Sequence, residues 1–261
     1  MLRRATHEDR LLMAGQIRDE LKKSLGDDLR AFVIFASTAK EEDGPYSDLE
    51  MMAIMTDDYD ETACGFMREG IYCEIYYIPF MKALKDAAKI DQDWPFSADQ
   101  WHRMLPVYVK QGDDCVGHIQ MAAWQSLNKE EEFRKAAGLS VFPIQEEIGS
   151  LMNAWEKGVR SDVCTHLFNF SVMVVKLMSF MNRHFYPSMR NAWEESKKLE
   201  NLPKDYAELI EIIHGETSAP VEVRYVTAFG LWQNILDWMD ELGIKWEKEG
   251  VYKMPKKIFR R

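Results

Sequence analysis

The chain has 261 residues, 46% of them hydrophobic, and a formal net charge of −10. This length favours two domains, and the apolar fraction is ample for a buried core. The negative charge argues against nucleic acid as a partner, because a polyanion would be repelled, whereas a polycationic small molecule would be attracted. The four cysteines lack metal-ligand spacing, and no apolar run approaches the length of a membrane span. We therefore expect a cytoplasmic protein with no membrane partner.

The first predicted elements are a helix and two buried strands joined by a polar loop. The helix covers residues 7–24, with Thr6 as a candidate N-cap and Gly26 at its end. Apolar runs at residues 31–35 and 51–55 have the length of strands and are bounded by turn-type residues. The sequence therefore predicts two buried strands joined by a polar loop.

Two carboxylates stand at the start of the second strand. Asp48 and Glu50 are two residues apart, which places both on the same side of the sheet with Cα atoms roughly 7 Å apart. A divalent cation would remove their mutual repulsion, and oxygen ligands suit Mg²⁺. Glu74, the only charge within a following strand at residues 71–78, is a third candidate ligand. Each acid alone is equally well a solvated strand end, but the three together beside Ser37 predict a metal site.

The remaining elements divide the chain into two parts. A helix at residues 81–90 and a strand at 105–109 complete a mixed sheet with flanking helices over residues 1–114. Residues 115–261 are predicted to form an all-helical bundle, so the fold class is α+β. Five helices are predicted in this bundle. The first covers residues 118–137 and ends at Gly138, and the second begins near Pro143. The others cover residues 162–184, 203–215 and 221–242. The basic tail, 253–261, is expected to be exposed.

The segment from Asp43 to Met52, with the sequence DGPYSDLEMM, is very similar to the kanamycin nucleotidyltransferase family. These are the aminoglycoside 4'-O-nucleotidyltransferases, part of the superfamily that includes polymerase-β-type enzymes. Further similar segments are 93–95, 105–108, 201–206 and 232–238. The resemblance implies transfer of a nucleoside monophosphate from Mg²⁺-NTP, such as ATP, to the 4'-hydroxyl of an aminoglycoside antibiotic, with release of pyrophosphate. It also implies a homodimer in which both chains contribute to each active site.

The resemblance also assigns roles to residues of the first part. Asp48 and Glu50 would hold Mg²⁺, and Glu74 would contact the substrate. Ser37, in the loop after the first strand, would offer its hydroxyl and backbone N–H groups to the phosphates of the nucleotide. Lys40 would add a positive charge there, although a flexible surface lysine is an equally good reading of that residue.

The catalytic base is expected in the second part of the chain. In the family a catalytic glutamate precedes a glycine by three residues and an asparagine by seven, and Glu146 holds that position relative to Gly149 and Asn153. It would accept the proton of the sugar hydroxyl. The neighbouring Glu147, assigned to substrate binding, is the rival for this role, and the sequence alone does not separate the two.

Two positions depart from the family pattern. Ala36 stands where the superfamily usually has glycine, and its Cβ restricts φ in a loop that must approach phosphate. Ser150 stands where the family has a lysine that acts on the phosphates, so we expect that charge to come from elsewhere, with Lys157 and Arg160 as candidates. These departures leave two alternatives open: a nucleotidyltransferase with another acceptor, and a nucleotide-binding homologue that no longer catalyses.

Overall fold

The structure is a computed structural model that describes residues 2–246. The strands are β1 (Leu29–Ile34), β2 (Leu49–Met55), β3 (Thr62–Arg68), β4 (Ile71–Pro79) and β5 (Leu105–Val109). They form one five-stranded sheet in the order β3-β4-β2-β1-β5. The β2–β4 pair is parallel and the other three pairs are antiparallel. The predicted α+β class, with a mixed N-terminal sheet and a mostly helical second half, is confirmed.

Helices surround this sheet and make up most of the second half of the chain. They are α1 (His7–Leu25), α2 (Ala36–Ala39), α3 (Phe80–Ala87), α4 (Trp94–Ser97), α5 (Asp99–His102), α6 (Cys115–Ser126), α7 (Glu130–Glu156), α8 (Arg160–Asn182), α9 (Met189–Ser196), α10 (Tyr206–His214) and α11 (Val221–Glu241). The prediction for α1 is confirmed in detail. Thr6 and Asp9 form a capping box, with the Thr6 Oγ1 accepting from the Asp9 backbone N–H at 3.1 Å.

The central strands β1 and β2 are buried on both faces, which explains their nearly continuous apolar sequences. On one face, Met51 and Met55 of β2 belong to a core cluster that includes residues of α1. On the other face, Met52 and Ile54 belong to a cluster with residues of α3 and α6. Because side chains alternate along a strand, Glu50 shares its face with Met52 and Ile54.

The edge strand β3 is absent from the sequence-based prediction. Every residue of Thr62–Arg68 is exposed or half-buried, so the strand has no alternation of buried and polar positions. Its backbone pairs antiparallel with β4, and the two strands turn at Gly70, which has a φ of 78°. The strand is therefore held by backbone pairing with a partner that a local pattern cannot reveal.

The predicted break at Gly138 is wrong, because α7 runs without interruption from Glu130 to Glu156 through Gly138 and Pro143. The chain instead breaks between α6 and α7. A Cβ on Gly138 would collide with the backbone carbonyl oxygen of Lys245. Glycine is needed there for close packing of backbone rather than for a helix end.

Short helices were also missed where the sequence carries proline. Residues 94–102 form α4 and α5 rather than a simple break, and α9 follows Pro187 and Ser188. Ser188 occupies the N-cap position of α9 in an extended conformation. Each of these helices is too short to show a clear apolar period in the sequence.

The chain divides into two compact units. Among the described residues, the first contains residues 2–133 together with Met178–Glu200, and the second contains Arg134–Leu177 and residues 201–246. The first unit includes α6, whose Cys115 and Ile119 join the core on the sheet. The domain boundary at residue 114 stays a prediction.

One helix in the described part of the chain, α8, is long and apolar enough to cross a membrane by length and composition, contrary to the sequence-based expectation. More than half of its apolar window, 56%, is buried inside the protein, as is usual for a central core helix. Leu167, Val175 and Met178, which predicted a central helix, are all fully buried. The basic tail 253–261 lies outside the described residues.

Candidate functional site

A polar cavity in the first unit is lined by residues from the start of α2, the start of β2 and the segment that leads into α9. Its lining includes Ser37, Asp48 and Glu50, together with Lys40 and Arg190. We call it the Asp48–Glu50 cavity. The Phe35 backbone N–H donates to the Glu50 carbonyl oxygen at 3.1 Å, which holds the start of α2 beside the start of β2. The structure thus brings together the predicted metal and nucleotide residues of the first unit.

Glu50 is the most strongly perturbed carboxyl group of this cavity. The pKa of Glu50 is raised to about 7, chiefly by burial and then by the neighbouring carboxylates of Asp48 and Glu74, whereas the Lys40 ammonium opposes the shift. Glu74 stands directly opposite Glu50 in the parallel pairing of β2 and β4. Asp48 and Glu74 thus lie close enough to disfavour the ionised form of Glu50, an effect that a bound cation would reverse.

The donor set fits Mg²⁺ held partly by substrate. Among residues 2–246, no three His, Cys, Asp or Glu side chains are grouped so that they could hold a metal ion by themselves. Asp48 and Glu50 offer only oxygen ligands, and Mg²⁺ is commonly bound by one or two carboxylates together with phosphate oxygens and water. The residues present therefore fit this ion in the company of a nucleotide.

The raised pKa of Glu50 predicts an unusual dependence of stability on pH. The folded carboxyl group holds its proton up to about pH 7, whereas the unfolded one loses it near the ordinary glutamate pKa of 4.5. Without a divalent metal, stability should therefore fall as pH rises between these values, because the folded state binds more protons. We expect Glu50→Gln to remove this fall when melting temperature is measured in EDTA from pH 5 to pH 8.

The exposed Glu131 offers a matched substitution for this measurement. Glu131→Gln should follow the wild-type profile, since it removes the same charge from a solvated position. Equal slopes in the wild type and Glu50→Gln would contradict the perturbed pKa.

A buried arginine on α1 organises the loop before Asp48. The guanidinium of Arg10 forms an ion pair with Asp43 at 2.8 Å, and both side chains are only 1% exposed. It also donates to the carbonyl oxygens of Gly44, at 2.9 Å, and Ser47, at 2.8 Å. The backbone of the DGPYS segment is therefore tied to α1 immediately before the first metal carboxylate.

Arg10 was missed in the sequence analysis, although the sequence carries a signal for it. It occupies the same helical stripe as Met13, Ala14, Ile17 and Leu21, all of which are buried. A charged residue in such a stripe needs a partner inside the protein. The partner, Asp43, is 33 residues away, so local reasoning does not find it.

The departure at Ala36 has a structural consequence. Its φ is 55°, in the left-handed region where glycine is favoured and a Cβ costs roughly 1 kcal/mol. Ala36 therefore adopts a backbone conformation that suits glycine although it carries a methyl group, as the restriction on its φ led us to expect. Ala36 and Ser37 both line the Asp48–Glu50 cavity.

Lys40 is not the flexible surface lysine of the alternative reading. Its side chain is 6% exposed, and its ammonium donates to Asp99 Oδ2 at 2.9 Å and to the Pro187 carbonyl oxygen at 2.6 Å. Most of its donor capacity is thus used within the protein. Its assignment to nucleotide binding stays a prediction.

The two candidate bases lie on α7 in the second unit and differ in environment. Glu146 is exposed, whereas Glu147 is half-buried and its Oε1 is 2.7 Å from His166 Nδ1. Ser150 lies one turn further along the same helix. Lys157 and Arg160, the candidates for the missing charge, also belong to the second unit and are exposed. The roles of these residues stay predictions.

Comparisons with known proteins agree with this architecture. Residues 121–245 match the family model of the KNTase C-terminal domain. Two proteins named aminoglycoside nucleotidyltransferase (4'), from a Bacillus species and from Staphylococcus aureus, are 24% and 23% identical over 242 residues. These alignments cover 91% of this chain and 93% of each relative.

A solved structure shares the fold. It is that of a nucleotidyltransferase-like protein from Exiguobacterium sibiricum, with 10% sequence identity and a TM-score of 0.53. The similarity covers 86% of this chain and 75% of that protein. At this identity the likeness concerns the fold alone.

Proposed function

We propose that this chain is a nucleotidyltransferase like the aminoglycoside enzymes it resembles, and that it transfers a nucleoside monophosphate from Mg²⁺-NTP to a hydroxyl of an aminoglycoside. The proposed position is the 4'-hydroxyl, as in the names of its relatives, and the second product is pyrophosphate. The observation that carries the proposal is the pair Asp48 and Glu50 beside Ser37 in one polar cavity. A cluster of mutually repelling carboxylates is costly unless a cation occupies it.

The residues of the first unit bind and orient the nucleotide in this proposal. When bound, Mg²⁺ would neutralise the triphosphate and polarise the phosphoryl group under attack. Asp48 and Glu50 hold the ion, and Ser37 donates its hydroxyl and backbone N–H groups to phosphate oxygens. Lys40 contributes positive charge near Glu50 and, through Asp99 and Pro187, fixes the cavity wall.

Glu74, Glu146 and Glu147 are proposed to bind or activate the aminoglycoside acceptor. Glu74 is in register with Glu50 and offers a carboxylate to an ammonium group of the amino sugar. Glu146 is the proposed base for the sugar hydroxyl, and Glu147, which His166 already engages, is proposed to orient the substrate. The net charge of −10 favours a cationic acceptor of this kind over nucleic acid.

We also propose a cytoplasmic homodimer. Several large apolar side chains on helices of the second unit are exposed, which supports an interface between copies of the chain. They are Phe142, Met152, Phe168, Val223 and Val226, with exposures from 44% to 67%.

The test is pyrophosphate release from ATP and from GTP with Mg²⁺, measured against a panel of aminoglycosides. We expect release that depends on the acceptor and is lost in Glu50→Gln. In the same assay Glu146→Gln should lose more activity than Glu147→Gln, because only the first removes the proposed proton acceptor. Mass and NMR analysis of the product then gives the modified hydroxyl.

The alternative functions predict different outcomes in the same assay. Release with none of the aminoglycosides, but with another hydroxyl compound, would replace the proposed acceptor while keeping the reaction. Nucleotide binding without turnover on any acceptor would contradict transferase activity and favour the non-catalytic homologue.

A further inference from the structure

The Asp48–Glu50 cavity carries a cation that lies outside the segments resembling the kanamycin nucleotidyltransferase family. Arg190, in the first turn of α9, lines the cavity together with Ser37, Asp48 and Glu50. Its side chain is exposed, and within residues 2–246 no hydrogen bond or ion pair engages its guanidinium. The charge is thus available to a ligand in the cavity.

The other cation of the cavity is already used. The Lys40 ammonium is buried against Asp99 and the Pro187 carbonyl oxygen, so its charge is largely balanced inside the protein. The bond to Pro187 ties the α2 segment to the chain three residues before Arg190. Lys40 therefore positions the start of α9, and Arg190 presents the free positive charge.

The start of α9 adds backbone donors at the same place. Ser188, at the N-cap, makes no side-chain cap hydrogen bond, so it leaves the first backbone N–H groups of α9 uncapped. Ser188 and Asn191 line the cavity beside Arg190. A guanidinium next to uncapped N–H groups is suited to phosphate oxygens, since an arginine binds them in a bidentate manner.

We propose that Arg190 binds the triphosphate of the nucleotide, on the phosphates beyond the one that is transferred. The family resemblance implies a positive charge on the phosphates that Ser150 does not supply, and Arg190 offers such a charge from the cavity itself. This inference rests on the proposed function, because it assigns a further residue to the same nucleotide site. The pyrophosphate that leaves the enzyme would depart from the side of the cavity that Arg190 occupies.

The test measures binding of inorganic tripolyphosphate with Mg²⁺ to the full chain by calorimetry. Arg190→Gln should raise the dissociation constant for tripolyphosphate roughly ten- to a hundredfold, because a charge-assisted hydrogen bond is lost. The dissociation constant of Arg190→Lys should lie between those of the wild type and Arg190→Gln. For ATP in the transfer assay, KM should rise by a similar factor with little change in kcat, and the melting temperature should not change.

The matched control is Lys198→Gln, which removes the same charge from an exposed position just beyond the end of α9. It should bind tripolyphosphate like the wild type. Unchanged binding in Arg190→Gln, or equal weakening in both variants, would overturn the role of Arg190 while leaving the proposed function intact. Absence of Mg²⁺-tripolyphosphate binding in the wild type would instead overturn the nucleotide site itself, and the inference with it.

Discussion

Replacing Asp48 with asparagine is expected to lower the rate of pyrophosphate release by about a thousandfold, which corresponds to about 4 kcal/mol of lost stabilisation. The substitution keeps the size of the side chain but removes one of the two charges that hold the metal. It also removes a neighbour that raises the pKa of Glu50, so the remaining carboxyl ionises more readily. The measurement is steady-state pyrophosphate release at saturating nucleotide, with Mg²⁺ titrated over a wide range.

Asp58→Asn is the matched control for this variant. Asp58 is exposed in the turn after β2, so its replacement removes the same charge from the same unit without touching the cavity. Its activity should equal that of the wild type. Unaltered Mg²⁺ dependence in Asp48→Asn would show that the metal assignment is wrong.

Asp43→Asn is expected to destabilise the folded chain by roughly 3–5 kcal/mol, because it leaves the buried Arg10 guanidinium without its counter-charge. In a protein of this size the melting temperature should fall by about 10 °C. The loop from Gly44 to Ser47, which Arg10 holds through two carbonyl oxygens, should loosen at the same time. Thermal unfolding measured by circular dichroism gives the shift directly.

The comparison for this prediction is Asp113→Asn. Asp113 accepts two hydrogen bonds from Arg30, but the side chains of this pair are 15% and 23% exposed, so solvent screens the charge that remains. Its melting temperature should fall much less. Equal shifts of the melting temperature in the two variants would mean that burial of the Arg10–Asp43 pair does not determine how much the pair stabilises the fold.

The Arg10–Asp43 pair also explains why the loop before Asp48 has its particular sequence. Gly44 and Ser47 close a tight turn, with the Ser47 backbone N–H donating to the Gly44 carbonyl oxygen at 3.1 Å and the Gly44 N–H donating to Ser47 Oγ at 3.0 Å. Because Arg10 also donates to the carbonyl oxygens of Gly44 and Ser47, the turn is held by α1 as well as by its own hydrogen bonds. Such a rigid support is what a metal carboxylate needs in order to stay in place.

The cavity shows how this chain compensates for departures from the family pattern. Ala36 retains the left-handed backbone that suits glycine, so the loop keeps its shape at a small conformational cost. In the proposed role, Arg190 gives the nucleotide phosphates a positive charge that Ser150 does not supply. Neither departure by itself argues against turnover.

The sequence by itself determined the features that depend on neighbouring residues. The apolar runs of β1 and β2, the cap at Thr6 and the spacing of Asp48 and Glu50 are all local patterns, and the buried strands with acids at the start of β2 follow from them. The resemblance of the DGPYSDLEMM segment rests equally on adjacent residues. These are the parts of the fold and of the candidate site that could be predicted.

Only the tertiary structure decided the features whose partners are distant in the chain. The exposed strand β3 exists because β4 pairs with it, and α7 passes Gly138 because another backbone segment packs there. Arg10 reaches Asp43 across 33 residues, and Lys40 reaches Pro187 across 147, which brings Arg190 to the wall of a cavity built from β2. The physical reason is that burial, charge pairing and cavity shape depend on which segments meet in space, and a local pattern does not contain that information.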